Sequence, residues 1–276
     1  MRNNRPFAIV RAVIMMILGC VWSITAKSNG DAEKPGKADL PHELTIDLGG
    51  GVTMEFVLIH PGSFTMGSDN DRQESANPAH KVTLTKPFYL GKYEVTQEQW
   101  EKVAGTNPSF FKGAKHPVET VSWNDCQSFV TKLNEKVPGQ TFRLPTEAEW
   151  EYACRAGNEG DYCYGDHVGV LDEYAWYGNS PDGNSTTHPV GEKKPNAWGL
   201  HDVHGNVYEW CADWYAEYPA TAVTDPPGPP SGLFRVIRGG SWFSCDRFCR
   251  AADRYGYRPS NAGSRFGVRL AITSVP

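Results

Sequence analysis

Apolar and polar positions along this chain follow three regimes in turn. Over residues 45–48 and 52–59 apolar side chains alternate with polar ones about the turn Gly49-Gly50-Gly51, which predicts a β-hairpin. Phe64 and Met66 keep the same two-residue spacing and are expected in the core, while residues 81–84 and 88–93 predict further short strands beyond a polar loop that runs through Pro78. The second regime is helical. Thr96 with Gln99, Ser122 with Asp125, and Thr146 with Glu149 each place a hydroxyl three residues before an acid or amide, the pattern of a reciprocal helix cap. Gly105, Gly139 and Gly157 mark the ends of the three helices so begun. In the second helix Trp123, Cys126, Phe129, Val130 and Leu133 share one stripe, so Cys126 is expected to be packed and unreactive.

From Gly157 onward the periodicity fades. Gly, Asn, Asp, Pro, Tyr and Trp dominate, as in a long irregular region that carries function or is pinned by ligands or cross-links. Residues 235–238 and 266–272 read as strands within it, and the Pro-rich stretch 225–232 as a surface excursion. No repeat of fixed period is present.

The first 26 residues stand apart from these patterns. Arg2, Arg5 and Arg11 precede an apolar run over residues 12–22, and small residues follow to Ala26, which reads as an export signal over 1–26. Ile17-Leu18-Gly19-Cys20 also resembles a bacterial lipoprotein cleavage box, so cleavage near Ala26, lipid anchoring at Cys20 and an uncleaved anchor are the open fates. The polar stretch 27–43 reads as a linker, which leaves one domain over 44–273. The expected location is periplasmic or extracellular. Asn184-Ser185-Thr186 fits a glycosylation acceptor that a bacterial export signal makes incidental.

Composition then narrows the partners. The 276-residue chain is 39% hydrophobic and carries a formal net charge of -5, so the basic face that nucleic acid requires is not expected. Proteins, peptides or small molecules remain. Setting Cys20 aside leaves Cys126, Cys154, Cys163, Cys211, Cys245 and Cys249, an even set suited to disulfides in an oxidising compartment.

Candidate chemistry concentrates between Arg235 and Arg269. Gly239 and Gly240 allow a tight turn, Ser241 and Trp242 then present a hydroxyl and a large ring, and Cys245 and Cys249 follow close enough to share a metal, bridge each other or pair elsewhere. The arginines 250, 254, 258, 265 and 269 are expected to bridge carboxylates around loops. His201 and His204 are expected to be hydrogen-bonded and not to bind a transition metal.

The blocks PGSFTMGS, FYLGKYEVTQEQW, PVETVSWND, RLPTEAEWEYA, GLHDVHGNVYEW, RGGSW and FGVRLA, in this order, resemble the formylglycine-generating enzyme or sulfatase-modifying factor family over residues 44–273. The resemblance implies an α+β, C-type-lectin-like single domain rich in irregular loops. It implies copper- and oxygen-dependent oxidation of a sulfatase cysteine to formylglycine, with Cys245 and Cys249 as the copper-binding catalytic pair and Ser241 beside them. Those enzymes space the pair as C-x4-C, whereas this chain has C-x3-C; counted from Gly239, Cys249 meets the second place and Cys245 lies one residue past the first. Two readings follow. One is an oxidase acting on sulfatases; the other is a catalytically silent, lectin-like module binding a protein, peptide or glycan, with Cys249 in a disulfide to Cys154 and Cys245 free or paired with Cys211 or Cys163. The resemblance also implies calcium held by Asp202, Gly205, Val207 and Glu209, and Trp176 in the place of an Asn ligand to a second calcium.

Overall fold

The hairpin forms as patterned: β1 (Glu43–Gly49) pairs antiparallel with β2 (Val52–Ile59). Along β2 the alternation serves two cores. Met54, Phe56 and Leu58 enter one buried cluster and Val57 and Ile59 another, so the strand is covered on both faces. The computed structural model describes residues 40–69, 75–178 and 185–273, all within one unit, Leu40–Pro276. The expected export signal, nearly all of the linker, and Asn184 lie outside the described residues.

After β3 (Gly62–Met66), β4 (His80–Leu84) and β5 (Phe88–Gly91) come the three capped helices, α1 (Gln97–Ala104), α2 (Trp123–Lys136) and, past the short β6 (Phe142–Arg143), α3 (Glu147–Arg155). Each forms its reciprocal cap: Thr96, Ser122 and Thr146 accept from the backbone N–H three residues on, and Gln99, Asp125 and Glu149 accept in return. Gly105 ends α1 in the left-handed region, as expected, but α3 ends on Ala156, one residue before Gly157. Cys126, Phe129, Val130 and Leu133 of α2 fill one core, and Ala148, Trp150, Ala153 and Cys154 of α3 fill the other. The central sheet, ordered β1-β2-β5-β12-β6, therefore lies between two helical layers.

The region of faded periodicity holds more regular structure than its sequence announces. It contains β7 (Tyr208–Trp214), β8 (Val223–Thr224), β9 (Arg235–Arg238), β10 (Arg254–Tyr257), β11 (Phe266–Gly267) and β12 (Ala271–Thr273). A second sheet runs β10-β9-β7-β11 and a third β3-β4-β8. The single strand expected over 266–272 is split: β11 runs parallel to β7 in the second sheet, and β12 runs antiparallel to β5 in the first. Arg269 sits at the crossing. Its guanidinium is buried and donates to the carbonyls of Gly91, Lys92 and His201 and to Glu209 (2.7–3.0 Å), which ties the two sheets together.

Buried ion pairs continue beneath the irregular chain. Arg238 meets Glu151 and donates to three carbonyls, Ala251, Ala252 and Asp253. Arg254 forms a two-toothed pair with Glu147 at 2.6 and 2.7 Å. Arg254 and Arg269 do the bridging expected of them, and Arg238 joins them. Because a buried charge stripped of its partner is costly, such pairs fix where each loop must lie.

Candidate functional site

The Gly239-Gly240 turn after β9 creates the centre of the candidate site. A Cβ on Gly240, whose φ is +78°, would stand 2.7 Å from the Cys249 sulfur, so glycine is what lets that thiol press against the backbone. The next residue, Ser241, is fully buried; its hydroxyl lies 3.1 Å from that of Ser244, which also accepts from the Ser241 N–H and donates to the Tyr208 hydroxyl at 3.0 Å. Trp242 donates through its ring N–H to the Ser264 carbonyl (2.8 Å), leaving its face for Phe111 and Phe243.

Cys245 and Cys249 belong to different surroundings. Cys245 is half-buried and lines a cavity of about 370 Å³ with Tyr208, Ser244, Phe248, Tyr255 and Arg265. Cys249 is fully buried among Tyr162, Leu171, Ala175 and Tyr177, and its Sγ–H points at the Cys245 carbonyl 3.7 Å away. Burial, reinforced by Asp253, pushes the Cys249 thiol well above its ordinary pKa, so it is held as S–H. Copper(I) needs two thiolates aimed at one point. Cys249 turns its sulfur to the Cys245 carbonyl and is not among the residues lining the cavity, although Cys245 is near enough to add to the rise in its pKa.

The disulfides are not formed either. All six described cysteines are free thiols, and Cys154, implied to pair with Cys249, instead directs its sulfur to the Val203 carbonyl at 3.7 Å. The imidazole of His204 is wedged between these chains. Its Nδ1 donates to the Cys249 carbonyl (2.7 Å) and its Nε2 accepts from the Cys163 N–H (2.9 Å), which fixes a neutral tautomer; burial lowers its pKa to about 4. His201, half-buried, bonds the Lys193 carbonyl at 2.8 Å. Both histidines are thus hydrogen-bonded in place, as the sequence suggests.

The four residues implied to hold calcium lie at the entry to β7. Asp202 and Glu209 are both buried, and with Glu94 they form an acidic group that faces the single guanidinium of Arg269. One oxygen of Asp202 accepts from the Gly191 N–H at 2.7 Å; the other is buried without a partner. Burial, with repulsion from Glu209 and Glu192 added, raises the Asp202 pKa to about 6. That orphaned oxygen suits a hard cation. Glu209 does not, because Arg269 and the Trp150 ring N–H already fill the acceptor positions on its two oxygens at 2.6–3.0 Å. At the second calcium position Trp176 stacks on His188 with ring centroids 3.7 Å apart, and the Lys193 ammonium lies 3.8 Å over its face.

Ser244 and Tyr208 were not singled out from the sequence. A signal for Ser244 exists, since counting from Gly239 puts it one residue before Cys245, in the first place of the pair. Tyr208 is 36 residues from Ser244, and nothing local joins them.

An α+β fold with loops braced by buried arginine pairs, around a serine-lined turn that opens on a thiol-bearing cavity, defines a class of scaffold in which irregular chain builds the site. Residues 50–274 match the sulfatase-modifying factor enzyme 1-like domain, and the chain belongs to that family. It is 36% identical over 187 residues to the formylglycine-generating enzyme of Streptomyces coelicolor, covering 62% of this chain and 57% of that protein. It is 32% identical over 242 residues to the chaperone protein LppX of Paenibacillus barcinonensis, covering 70% of this chain and 80% of that protein. Among solved structures, Treponema denticola variable protein 1 superposes with a TM-score of 0.79 at 34% identity, over 85% of this chain and 100% of that one. PvdO from Pseudomonas aeruginosa gives 0.75 at 31%, over 86% and 100%.

Proposed function

We propose that this chain is a member of the family that keeps the scaffold and the Cys245 cavity as a binding site for a polypeptide, a sulfatase or another exported protein, and does not run the copper-dependent oxidation. The observation that carries this reading is that Cys245 lines the cavity, whereas Cys249 is fully buried and does not reach it. Cys249 is spent against Gly240 and the Cys245 carbonyl, while Ser244, a hydroxyl without affinity for copper(I), takes the place beside Tyr208. The cavity supports the binding half: Phe248, Tyr255 and Tyr257 line it, Arg265 stands at its edge, and the exposed Phe243 ring extends it outward.

Export agrees with the basic, then apolar, opening of the chain, and burial of every described cysteine except Cys245 protects thiols from oxidants in such a compartment. Calcium is part of the proposal in reduced form, with Asp202 and the carbonyls of Gly205 and Val207 as ligands and Glu209 engaged by Arg269. Bound there, the ion would supply positive charge to an acidic group.

The test of function is direct. Purified protein, copper(I) and a Cys-x-Pro-x-Arg peptide are combined under air, and the mass and fluorescence anisotropy of the labelled peptide are followed. No mass loss at the peptide cysteine is expected, together with any binding being weakened at least about fivefold by Phe243→Ala. Conversion of the peptide that Cys249→Ser abolishes would restore the oxidase reading.

A further inference from the structure

A second cavity, of about 280 Å³, shares no lining residue with the first. It lies where the 226–229 stretch folds over the end of β7. Four prolines, Pro219, Pro226, Pro227 and Pro229, and the side chains of Met66, Trp214 and Val223 give it apolar walls. Its floor is charged and built from buried groups: Glu147 and Asp213 are 4% and 6% exposed, and Arg254 is 2% exposed.

The charged donor on the floor of this cavity is largely committed. Arg254 gives Nε and one Nη to Glu147 and the other Nη to the carbonyls of Ser75 and Ala216. The Tyr218 hydroxyl donates to Glu147 at 3.0 Å, and His80 Nδ1 meets the Pro78 carbonyl at 3.1 Å. Proline contributes no N–H at all. An anion entering here would find the Arg254 guanidinium largely occupied. The cavity also holds an acceptor: Asp213 uses Oδ2 to accept from the Glu147 N–H at the start of α3 (2.8 Å), and its Oδ1 stands against Gly228 in the cavity wall, where an added Cβ would come within 2.7 Å of it.

We propose that this cavity is a ligand site for a small primary ammonium compound, whose N–H groups bond Asp213 and whose apolar body rests on Trp214, Tyr218 and the prolines. A cavity with a buried carboxylate oxygen at its wall and aromatic sides selects a ligand that brings both donors and positive charge. Electrostatics agrees. Asp213 faces Glu147 and Glu149 from α3, Arg235 from β9, Arg254 from β10, and Glu217, Tyr218 and His80 around the cavity. Burial and then Glu147 raise its pKa to about 7, a penalty that a bound cation would relieve.

Calorimetry with n-pentylammonium chloride, n-pentanol and tetramethylammonium chloride tests the proposal. At pH 8 n-pentylammonium is expected to bind at least about tenfold tighter than n-pentanol or tetramethylammonium, which lack the charge and the N–H donors respectively. Its affinity should fall between pH 8 and pH 6, where the amine stays charged and Asp213 takes up a proton. Asp213→Asn, which keeps an oxygen for the Glu147 N–H, should lose the tenfold preference. Equal affinity for the three probes, no binding, or an unchanged preference in Asp213→Asn would each overturn it. Should that variant fail to fold, the three probes on the unaltered protein still decide.

Discussion

Asp213 carries an electrostatic cost in the folded chain, because it is 6% exposed and sits beside a second carboxylate. Its pKa near 7 in the folded state stands against about 3.9 in an unfolded chain. The folded form therefore binds more protons between those values. The stability this group contributes is fully present below about pH 4 and is lost as pH rises through 7, on the order of 4 kcal/mol in all. Urea unfolding of the native protein and of Asp213→Asn at pH 5 and pH 8 checks this. The variant is expected to gain stability relative to the native chain at pH 8 compared with pH 5, and parallel profiles would contradict the assignment. Cys249 shows the same physics in a thiol, since burial favours the neutral form of this packed side chain.

At the scale of elements, the entry loop to β7 sets how the two sheets meet. Asp202 and Asn206 both hold positive φ, of 61° and 63°, and Asn206 joins its side chain to Glu94 at 2.8 Å and to the His188 carbonyl at 3.2 Å. With calcium on Asp202, a chelator should lower the melting temperature by several degrees, and Asp202→Asn should blunt that response. An unchanged melt would remove calcium from the account and leave Arg269 as the loop's cation. The helices were legible because a reciprocal cap is written in four consecutive residues. β7 was not: YEWCADW is buried along nearly its whole length, so it shows neither alternation nor a helical stripe. The split between β11 and β12 was equally hidden, since only the distant Glu209, Gly91 and Lys92 make Arg269 the point at which the chain changes sheets.

For the whole molecule, family and fold class could be read from motif order, because seven blocks across one domain leave few alternatives. The site could be read only in part. Ser241, Cys245 and Cys249 do gather at the Gly239-Gly240 turn, but a C-x3-C spacing cannot say which way each sulfur faces; that depends on Tyr162, Leu171 and Tyr177, more than 70 residues away. The expected disulfides failed for a related reason. An even cysteine count describes a compartment, and pairing needs Cβ atoms within a few ångströms. What the fold does instead is wall off five of the six described thiols and leave Cys245 at a cavity lined otherwise by aromatic rings, Ser244 and Arg265.

The central claim is that these two thiols serve different surroundings. Copper(I) titration under anaerobic conditions, against a competing chelator, measures it most directly on the reduced full-length protein and on Cys245→Ser and Cys249→Ser. The account predicts no tightly bound equivalent in the native protein that either substitution removes. One tightly bound equivalent lost in both variants would show the pair closing on a common ion and would contradict it.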